Sequence, residues 1–334
     1  MNVESTPTRD AVLDVSGVTV RYRTRGHKRP IVALDGVETT VERGRTTGLV
    51  GESGAGKSTL GRAVLGLAPV SGGSIRFGGR DIVDLPASVR RRLPARVQAV
   101  YQDPLGSLNP GYPVSWSLKE PLRSRGISTR AEMTDRVAAT LEAVGIDPAA
   151  SHRRPAAFSG GQLQRICIAR AIIDLPELVI LDEAVSALDL SVQAQILNLL
   201  RDLQEERQLS YLFISHDMAV VRHCCHEVTV LYRGQVMESG PTGAVAAAPA
   251  HPYTNALLRA SPVADPVVQR ARQQAAPTAT DHEPAAPVRG CVYAPRCPFA
   301  EPQCHESRPP LREIAPGRKA ACHLYPQWTE ELSD

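Results

Sequence analysis

The sequence lacks any long hydrophobic run. None of its 334 residues belong to a stretch that approaches the roughly 18 consecutive apolar residues of a membrane-spanning helix. The first ten residues are polar and contain no apolar segment of the kind found in signal peptides, so we expect no secretory signal. These two absences predict a chain that does not itself cross a membrane and that works in the cytoplasm.

A strong excess of charge of one sign is also missing. The formal net charge is only +3, whereas a nucleic-acid-binding face needs basic residues concentrated on one side. The densest basic run, three arginines at 90–92, is interpreted as a solvated helix end. Cysteine is scarce, and in a reducing compartment the seven cysteines are expected to be thiols or metal ligands and not disulfides.

A glycine-rich stretch of nine residues is the strongest local feature that the sequence does contain. It fits the pattern G-x-x-x-x-G-K-[ST] and consists of Gly51, Glu52, Ser53, Gly54, Ala55, Gly56, Lys57, Ser58 and Thr59. The glycines let backbone N–H groups turn toward phosphate oxygens, the lysine supplies positive charge, and the serine hydroxyl can ligate Mg²⁺. A strand predicted at 46–50 and a helix predicted at 58–67 place the bound anion at a helix N-terminus.

Two adjacent acids form a second candidate site. Asp182 and Glu183 directly follow a fully apolar segment at 178–181, which is typical of a buried strand. At the end of such a strand, beside a phosphate-binding loop, Asp182 can hold Mg²⁺ and Glu183 can polarise an attacking water.

The periodicity of apolar residues predicts the remaining elements. Strands are predicted at 11–22, 31–41, 74–77, 97–101, 178–181 and 210–215. Helices are predicted at 115–124, 129–144, 159–173 and 192–206, with Ser159 as the N-cap of the third. Strands that alternate with helices around a phosphate-binding loop predict an α/β fold with a parallel-sheet core.

Composition divides the chain into three parts. Residues 1–261 carry the periodic patterns, and residues 103–158 within them are interpreted as a helical insertion. Residues 262–288 are rich in proline, alanine and glutamine and are predicted to be a linker. Residues 289–334 are named the cysteine module here.

Four of the seven cysteines lie in the cysteine module. They are separated by five, six and seventeen residues and are Cys291, Cys297, Cys304 and Cys322. Four thiols on a segment too short for a core of its own indicate a stabilising metal. However, the spacing lacks the paired C-x-x-C motifs of common zinc sites and does not match the cysteine spacing of ferredoxins. Two interpretations of the four cysteines therefore stay open: they form a metal site, or they are unliganded thiols. The other three cysteines fall on helical patterns and are interpreted as packed residues.

A series of motifs in a fixed order resembles that of the ATP-binding subunits of ABC transporters. Besides the phosphate loop and the acid pair, they are carried by Tyr22, Gln102, Phe158-Ser159-Gly160-Gly161-Gln162, Ser186-Ala187-Leu188-Asp189 and His216. Tyr22 matches the aromatic residue that stacks on adenine. The other motifs match, in order, the Q-loop, the signature motif, the D-loop and the switch histidine.

Longer stretches narrow the resemblance to the ATP-binding subunits of bacterial oligopeptide, dipeptide and nickel importers. These stretches are residues 102–110, 185–189 and 251–258. The sequence departs from the family at Ala184, where proline is usual, and at Phe158, where many members have leucine. Neither departure removes a functional group, so an active site is expected.

The resemblance implies a P-loop NTPase fold of the RecA type with an antiparallel β subdomain and a helical subdomain. Two subunits would meet head to tail, with each ATP between the phosphate loop of one and the signature motif of the other. Glu183 would be the general base, His216 would contact the γ-phosphate, and Gln102 would join Ser58 and Asp182 at Mg²⁺. In the cysteine module the resemblance implies a 4Fe–4S cluster on the four cysteines, with Zn²⁺ as the alternative.

The resemblance also implies partners and a location. Two multi-span permease subunits, a second ATP-binding subunit and, indirectly, an extracytoplasmic solute-binding protein are expected, and no nucleic acid. The chain would power import of peptides or related small solutes from the cytoplasmic face of the membrane. Two alternatives are a soluble ABC ATPase acting on nucleic acid or ribosomes, and a regulatory subunit without catalysis. The first needs a coiled-coil insertion or a second ATPase domain, and the second is expected to lose catalytic residues.

Overall fold

The computed structural model describes residues 10–23, 30–83, 85, 96–127, 129–260 and 289–330. The predicted linker at 262–288 and the arginine run at 90–92 lie outside these residues. None of the helices in the described ranges is long and apolar enough to cross a bilayer.

The described residues contain twelve strands. In chain order they are β1 (Ala11–Tyr22), β2 (Ile31–Glu42), β3 (Thr46–Val50), β4 (Val70–Phe77), β5 (Arg80–Asp81), β6 (Val97–Val100), β7 (Leu178–Asp182), β8 (Ser210–Ser215), β9 (Glu227–Tyr232), β10 (Gln235–Pro241), β11 (Arg312–Ala315) and β12 (Arg318–Ala320). Every strand predicted from periodicity is present, and most end within one residue of the predicted bounds.

Helices connect these strands. In chain order they are α1 (Lys57–Val64), α2 (Pro104–Ser107), α3 (Val114–Ser124), α4 (Arg130–Ala143), α5 (Gly160–Ile172), α6 (Leu190–Arg207), α7 (Met218–Cys224), α8 (Thr242–Ala247), α9 (Pro252–Ala260), α10 (Pro302–Glu306) and α11 (Gln327–Glu330). Helix α1 ends at Val64 and not at residue 67, because Gly66 turns the chain with a positive φ of 71°.

A large sheet forms the centre of the molecule. Its strand order is β11-β12-β10-β9-β3-β8-β7-β6, and the five strands from β9 to β6 pair in parallel. The central strands β3 and β8 are buried along their whole length, as expected when helices cover both faces of a parallel sheet. The predicted parallel α/β core is therefore confirmed, and its carboxyl edge gathers the loops that follow β3, β6, β7 and β8.

A second, antiparallel sheet has the order β2-β1-β4-β5. Its buried valines and leucines share a core cluster with α1 and with one face of the large sheet. In a second core cluster, helices α3 to α5 pack together around leucines such as Leu118, Leu122 and Leu141, all fully buried. These units correspond to the expected antiparallel and helical subdomains around the parallel core.

The cysteine module is joined directly to the rest of the chain. Its hairpin β11–β12 continues the large sheet, because β12 pairs with β10 through Glu238 opposite Ala320 and Ser239 opposite Lys319. An edge strand such as β10 offers unpaired backbone N–H and C=O groups, and the hairpin satisfies them. The module is thus attached to the parallel-sheet core by backbone hydrogen bonds.

Candidate nucleotide-binding site

The phosphate loop runs from the end of β3 to the start of α1. Gly56 is the N-cap of α1 with a φ of 102°, and a Cβ built on it would lie 2.6 Å from the carbonyl oxygen of Ala33. A Cβ on Gly51 would collide with the carbonyl oxygen of Leu231. At both positions a side chain would clash with a neighbouring carbonyl oxygen, so glycine is required for steric reasons as well as for its backbone conformation. The loop wraps the N-terminus of α1, where N–H groups and the helix dipole favour an anion.

Lys57 is held inside this loop. Its side chain is 4% exposed, and Nζ donates to the carbonyl oxygens of Gly51 at 2.8 Å and Glu52 at 2.9 Å. Burial lowers the pKa of the Lys57 ammonium, while the nearby carboxylates of Glu183 and Asp182 act in the opposite direction. The lysine thus lies inside the loop and near both acids, and its predicted contact with the β- and γ-phosphates stays a prediction.

Ser58 and Asp182 meet at the carboxyl edge of the sheet. The Ser58 hydroxyl donates to Oδ1 of Asp182 at 2.8 Å, although the two residues are 124 positions apart. Burial raises the pKa of the Asp182 carboxyl, and the hydrogen bond from Ser58 opposes this effect. A hydroxyl and a carboxylate in contact are oxygen donors of the kind that Mg²⁺ prefers. The residues present therefore fit the predicted magnesium site.

Glu183 and His216 lie at the ends of neighbouring strands β7 and β8. Oε1 of Glu183 is 3.5 Å from Nδ1 of His216, and the Glu183 side chain is 21% exposed. Glu183 has a left-handed backbone with φ of 51°, its N–H donates to Ile214 O, and its carbonyl accepts from Ser186. A left-handed non-glycine residue is uncommon and marks a constrained turn. The turn aims the carboxylate at the side of the site that His216 also faces.

Gln102 and Tyr22 lie at two further edges of the site. Gln102 is exposed and follows β6, which pairs in parallel with β7, so Gln102 and Asp182 come from neighbouring strand ends. Tyr22 is the last residue of β1, is half-buried and packs against the cluster that contains Leu34 and Leu60. Thr59 is half-buried on α1. The positions of these residues agree with their predicted roles, which stay predictions.

The signature motif forms the start of α5. Ser159 is the N-cap, its Oγ accepts from Gln162 N–H at 3.3 Å, and Gln162 Oε1 accepts from Ser159 N–H at 3.0 Å. This capping box leaves other first-turn N–H groups free to meet an anion. Ser159, Gly160 and Gln162 are exposed, so this helix N-terminus faces away from the molecule. A Cβ on Gly161 would lie 2.6 Å from Cγ1 of Val192, so Gly161 lets α5 approach α6 closely.

Asp189 caps α6. Its carboxylate accepts from the N–H of Val192 at 2.9 Å and from the Ser191 hydroxyl at 2.7 Å. These bonds, the one from Val192 first, lower the pKa of Asp189. The predicted nucleotide-binding residue therefore already has a structural role within its own chain.

The four cysteines of the cysteine module are neighbours. The pKa of Cys297 is raised to about 12 and that of Cys322 to about 11, mainly by burial and in part by the negative charge that the other cysteines carry as thiolates. Backbone N–H groups of Tyr293 and Ala294 hydrogen-bond to the sulfur of Cys291. Within the described residues, however, no group of three or more His, Cys, Asp or Glu side chains is arranged to hold a metal ion. The predicted four-thiolate site is thus not present as a formed ligand set.

The remaining cysteines are packed residues. Cys167 is buried on α5, and burial raises the pKa of its thiol to about 12. Cys224 and Cys225 lie at the end of α7, with their sulfur atoms 3.7 Å apart. His226 lies beyond the end of α7, and its Nδ1 accepts from Thr46 N–H.

Sequence reasoning missed several residues beside the phosphate loop. A cavity of about 450 Å³ is lined by Glu52, Ser53, Gly54, Ala55, Tyr232, Arg233 and Arg296. Arg296 belongs to the cysteine module, and its Nη1 lies 3.0 and 2.9 Å from the two carboxylate oxygens of Glu52. Nothing in the sequence marks Tyr253 as a residue of this site, apart from its position in the 251–258 stretch. Its hydroxyl oxygen accepts from Glu52 N–H at 2.9 Å.

The parallel sheet, the phosphate loop and the acid pair together define a P-loop nucleoside triphosphatase. The chain matches the family model for ABC transporters over residues 34–186 and that for the oligopeptide/dipeptide transporter C-terminal region over residues 237–304. A relative from Brucella ovis, named as a peptide import ATP-binding protein, is 45% identical over 94% of this chain and 98% of its own length. A relative from Bacillus subtilis, named as an oligopeptide transport ATP-binding protein, is 43% identical over 94% and 95%.

Solved structures agree with this result. CbiO1 from Clostridium perfringens, described as part of an ABC transporter complex, has a TM-score of 0.64 and 28% identity, covering 72% of this chain and 92% of its own. A dimeric ATP-binding cassette in a post-hydrolysis state with ADP and Pi has a TM-score of 0.62 and 25% identity, covering 69% and 98%. The chain therefore belongs to the ATP-binding subunits of ABC transporters, which are ATPases.

Proposed function

We propose that this chain powers the import of peptides or related small solutes as one of two ATP-binding subunits on the cytoplasmic face of the membrane. The names of the Brucella and Bacillus relatives and the match to the oligopeptide/dipeptide C-terminal region support this proposal. The observation that carries its catalytic part is the contact between Glu183 and His216 beside the Ser58–Asp182 pair. A regulatory subunit without catalysis would not need to keep these four groups together.

The residues of this chain divide the work of hydrolysis. The loop N–H groups and Lys57 bind the phosphates, and the pair of Ser58 and Asp182, with Gln102, would hold the metal. When bound, Mg²⁺ neutralises charge on the phosphate oxygens. The Glu183 carboxylate accepts a proton from the attacking water, and His216 orients that carboxylate and contacts the γ-phosphate.

The signature motif supplies the second half of an ATP site. Because Ser159, Gly160 and Gln162 are exposed, they can face the phosphate loop of a second subunit. Each ATP would then lie between two chains and hold them together, and loss of the γ-phosphate would release them. The second subunit is either another copy or a paralogue.

Membrane subunits are proposed to dock beside Gln102. Three large side chains there are at least 40% exposed: Tyr101, Leu105 and Tyr112. Large apolar side chains that are exposed on a protein surface can mark an interaction site. In the proposed importer two permease subunits cover these groups, and a solute-binding protein contacts the permeases and not this chain.

The cysteine module is proposed to hold a 4Fe–4S cluster, with Zn²⁺ as the alternative. The electrostatic interactions of Cys291 and Cys297 with the other cysteines and the backbone N–H groups directed at the Cys291 sulfur support this, and the four side chains would have to rearrange to form a complete ligand set. Anaerobic purification with iron, sulfide and zinc analysis tests it. About four irons and four sulfides per chain, lost in Cys304→Ser, are expected for the cluster. Neither metal at stoichiometric level would contradict both forms of the proposal.

Glu183→Gln tests the catalytic assignment. The amide keeps the size of the side chain but cannot accept the proton, so ATP binding should persist while turnover is lost by about a thousandfold or more. The variant should accumulate as an ATP-bound dimer in gel filtration. Glu206→Gln, an exposed position on α6, is the matched control and should behave as wild type. Wild-type turnover in Glu183→Gln would refute the assignment of the base.

Co-purification tests the transport role. A tagged chain extracted from membranes with detergent should bring down two multi-span membrane proteins in equal amounts. Recovery of ribosomes or nucleic acid in their place would favour the soluble-ATPase alternative.

A further inference from the structure

Glu52 is the point at which the cysteine module meets the phosphate loop. Nη1 of Arg296 lies within 3.0 Å of both carboxylate oxygens of Glu52, although the two residues are 244 positions apart. Arg296 ends a short 3₁₀ turn, Ala294–Arg296, and is followed directly by Cys297. A residue of the cysteine module therefore contacts the phosphate loop.

All three polar groups of Glu52 are engaged. Its N–H donates to the Tyr253 hydroxyl at 2.9 Å, its carbonyl accepts from Lys57 Nζ at 2.9 Å, and its carboxylate accepts from Arg296. Glu52 therefore helps to fix the position of the Lys57 ammonium, together with Gly51, whose carbonyl oxygen accepts from the same Nζ at 2.8 Å. Because Lys57 and the loop N–H groups contact the phosphates, a displacement of Glu52 alters the binding surface for ATP.

Packed aromatic rings support the same contact. Tyr232, Tyr253 and Tyr293 have ring centroids 4.6 to 5.3 Å apart, and all three side chains are at most 3% exposed. The Arg296 guanidinium lies 6.0 Å from the ring centroids of Tyr232 and Tyr293. Tyr293 belongs to the cysteine module, Tyr232 ends β9 and Tyr253 lies on α9. A close-packed cluster of this kind transmits displacement between the elements that it joins.

The cysteine module itself is fixed to the core. Strand β12 pairs with β10, and Arg318 donates to the fully buried Glu238 at 2.8 Å. At the surface, Lys319 pairs with Glu38 at 2.5 Å. The module therefore offers Arg296 a rigid support, which is what a positioning residue needs.

We infer that the cysteine module is a positioning element of the ATP site, and that Arg296 is the residue through which it acts. Arg296 holds Glu52, and Glu52 holds the start of the phosphate loop and the resting place of Lys57. The inference depends on ATP binding by this chain and not on what the transporter carries. Failure of the import proposal would leave it standing.

A double-mutant cycle on the full-length chain tests the inference. Binding of a fluorescent ATP analogue with Mg²⁺ is titrated for wild type, Arg296→Ala, Glu52→Gln and the double variant. Since the ion pair is partly exposed, at 26% and 42%, Arg296→Ala should weaken binding by about fivefold. The double variant should be no weaker than the weaker single variant, because both changes remove the same contact.

Two further variants separate positioning from general destabilisation. Arg296→Lys keeps the charge and should recover most of the lost affinity. Lys319→Ala removes a partly exposed ion pair between the same module and the core, away from the loop, and should bind ATP within about twofold of wild type. If Arg296→Ala does not fold, Arg296→Gln replaces it under the same thresholds.

Two results would overturn the inference. One is unchanged affinity, within about twofold, in folded Arg296→Ala or Arg296→Gln. The other is strict additivity in the cycle, which would mean that Arg296 and Glu52 act independently.

Discussion

Glu238 is expected to be the residue on which attachment of the cysteine module most depends. It is fully buried, and its carboxylate accepts from the N–H groups of Ala250 and His251 at 3.0 Å and from Arg318 Nη2 at 2.8 Å. Arg318 also donates to the carbonyl oxygen of Ala248. One side chain thus joins β10, the segment before α9 and β12.

The cost of losing this carboxylate follows from what remains. In Glu238→Ala the Arg318 side chain, 11% exposed, keeps its charge without a carboxylate partner, which costs about 3–5 kcal/mol. The two N–H groups that lose their acceptor add about 1–3 kcal/mol each unless water replaces it. We therefore expect a loss of at least about 4 kcal/mol in the free energy of unfolding. Glu238→Gln keeps an acceptor but not the charge and should lose less.

Tryptophan fluorescence during urea unfolding measures this effect locally. Trp328 is 2% exposed and its Nε1 donates to Ala250 O at 3.0 Å, next to the Glu238 contact. The chain has two tryptophans, so Trp116→Phe leaves Trp328 as the reporter. Lys319→Ala is the control and should cost less than about 1 kcal/mol. A loss below about 1 kcal/mol in Glu238→Ala would refute this reasoning.

Three other changes test the core and the site. Gly161→Ala places a Cβ 2.6 Å from Val192 Cγ1, so it should cost about 1–3 kcal/mol in unfolding free energy and reduce ATPase rate, with recovery in the double variant with Val192→Ala. Burial raises the pKa of Asp174 above its ordinary 3.8 against the pull of Arg125. Because the pKa is raised in the folded state, the free energy of unfolding decreases as the pH rises through that value. Asp174→Asn should therefore lose less stability than wild type between pH 4 and 7, and parallel plots of unfolding free energy against pH for the two proteins would contradict this. Lys57→Ala should abolish binding of the fluorescent ATP analogue, and retained binding would contradict the role of its ammonium.

Local patterns were enough to predict the parallel core and much of the site. The loop around Lys57 and the N-cap at Ser159 depend on residues within a few positions of each other, so their spacing carries the information. The acid pair could be placed because an apolar strand ends directly before it. The Ser58–Asp182 contact then follows from parallel pairing, which brings strand ends to one edge.

Contacts between distant segments could not be predicted in this way. Arg296 and Glu52 each belong to ordinary local patterns, and nothing in either pattern indicates the other. The hairpin β11–β12 has short strands whose residues are mostly exposed or half-buried, so periodicity gives little signal. The joining of the cysteine module to the sheet is therefore a property of the edge of β10, which no local pattern describes.

The structure places binding and chemistry on different elements, and this has a consequence for mutants. Lys57 and Glu52 follow β3, and Glu52 is held by Arg296 and Tyr253, whereas Glu183 follows β7, which is separated from β3 by β8. A change at Arg296 moves the groups that contact phosphate in both ground and transition states, so it should act on affinity more than on turnover. A change at Glu183 removes a group needed only when water attacks, so it should act on turnover alone. Through Arg296 and Glu52, the cysteine module should therefore affect the affinity for ATP without affecting the catalytic base.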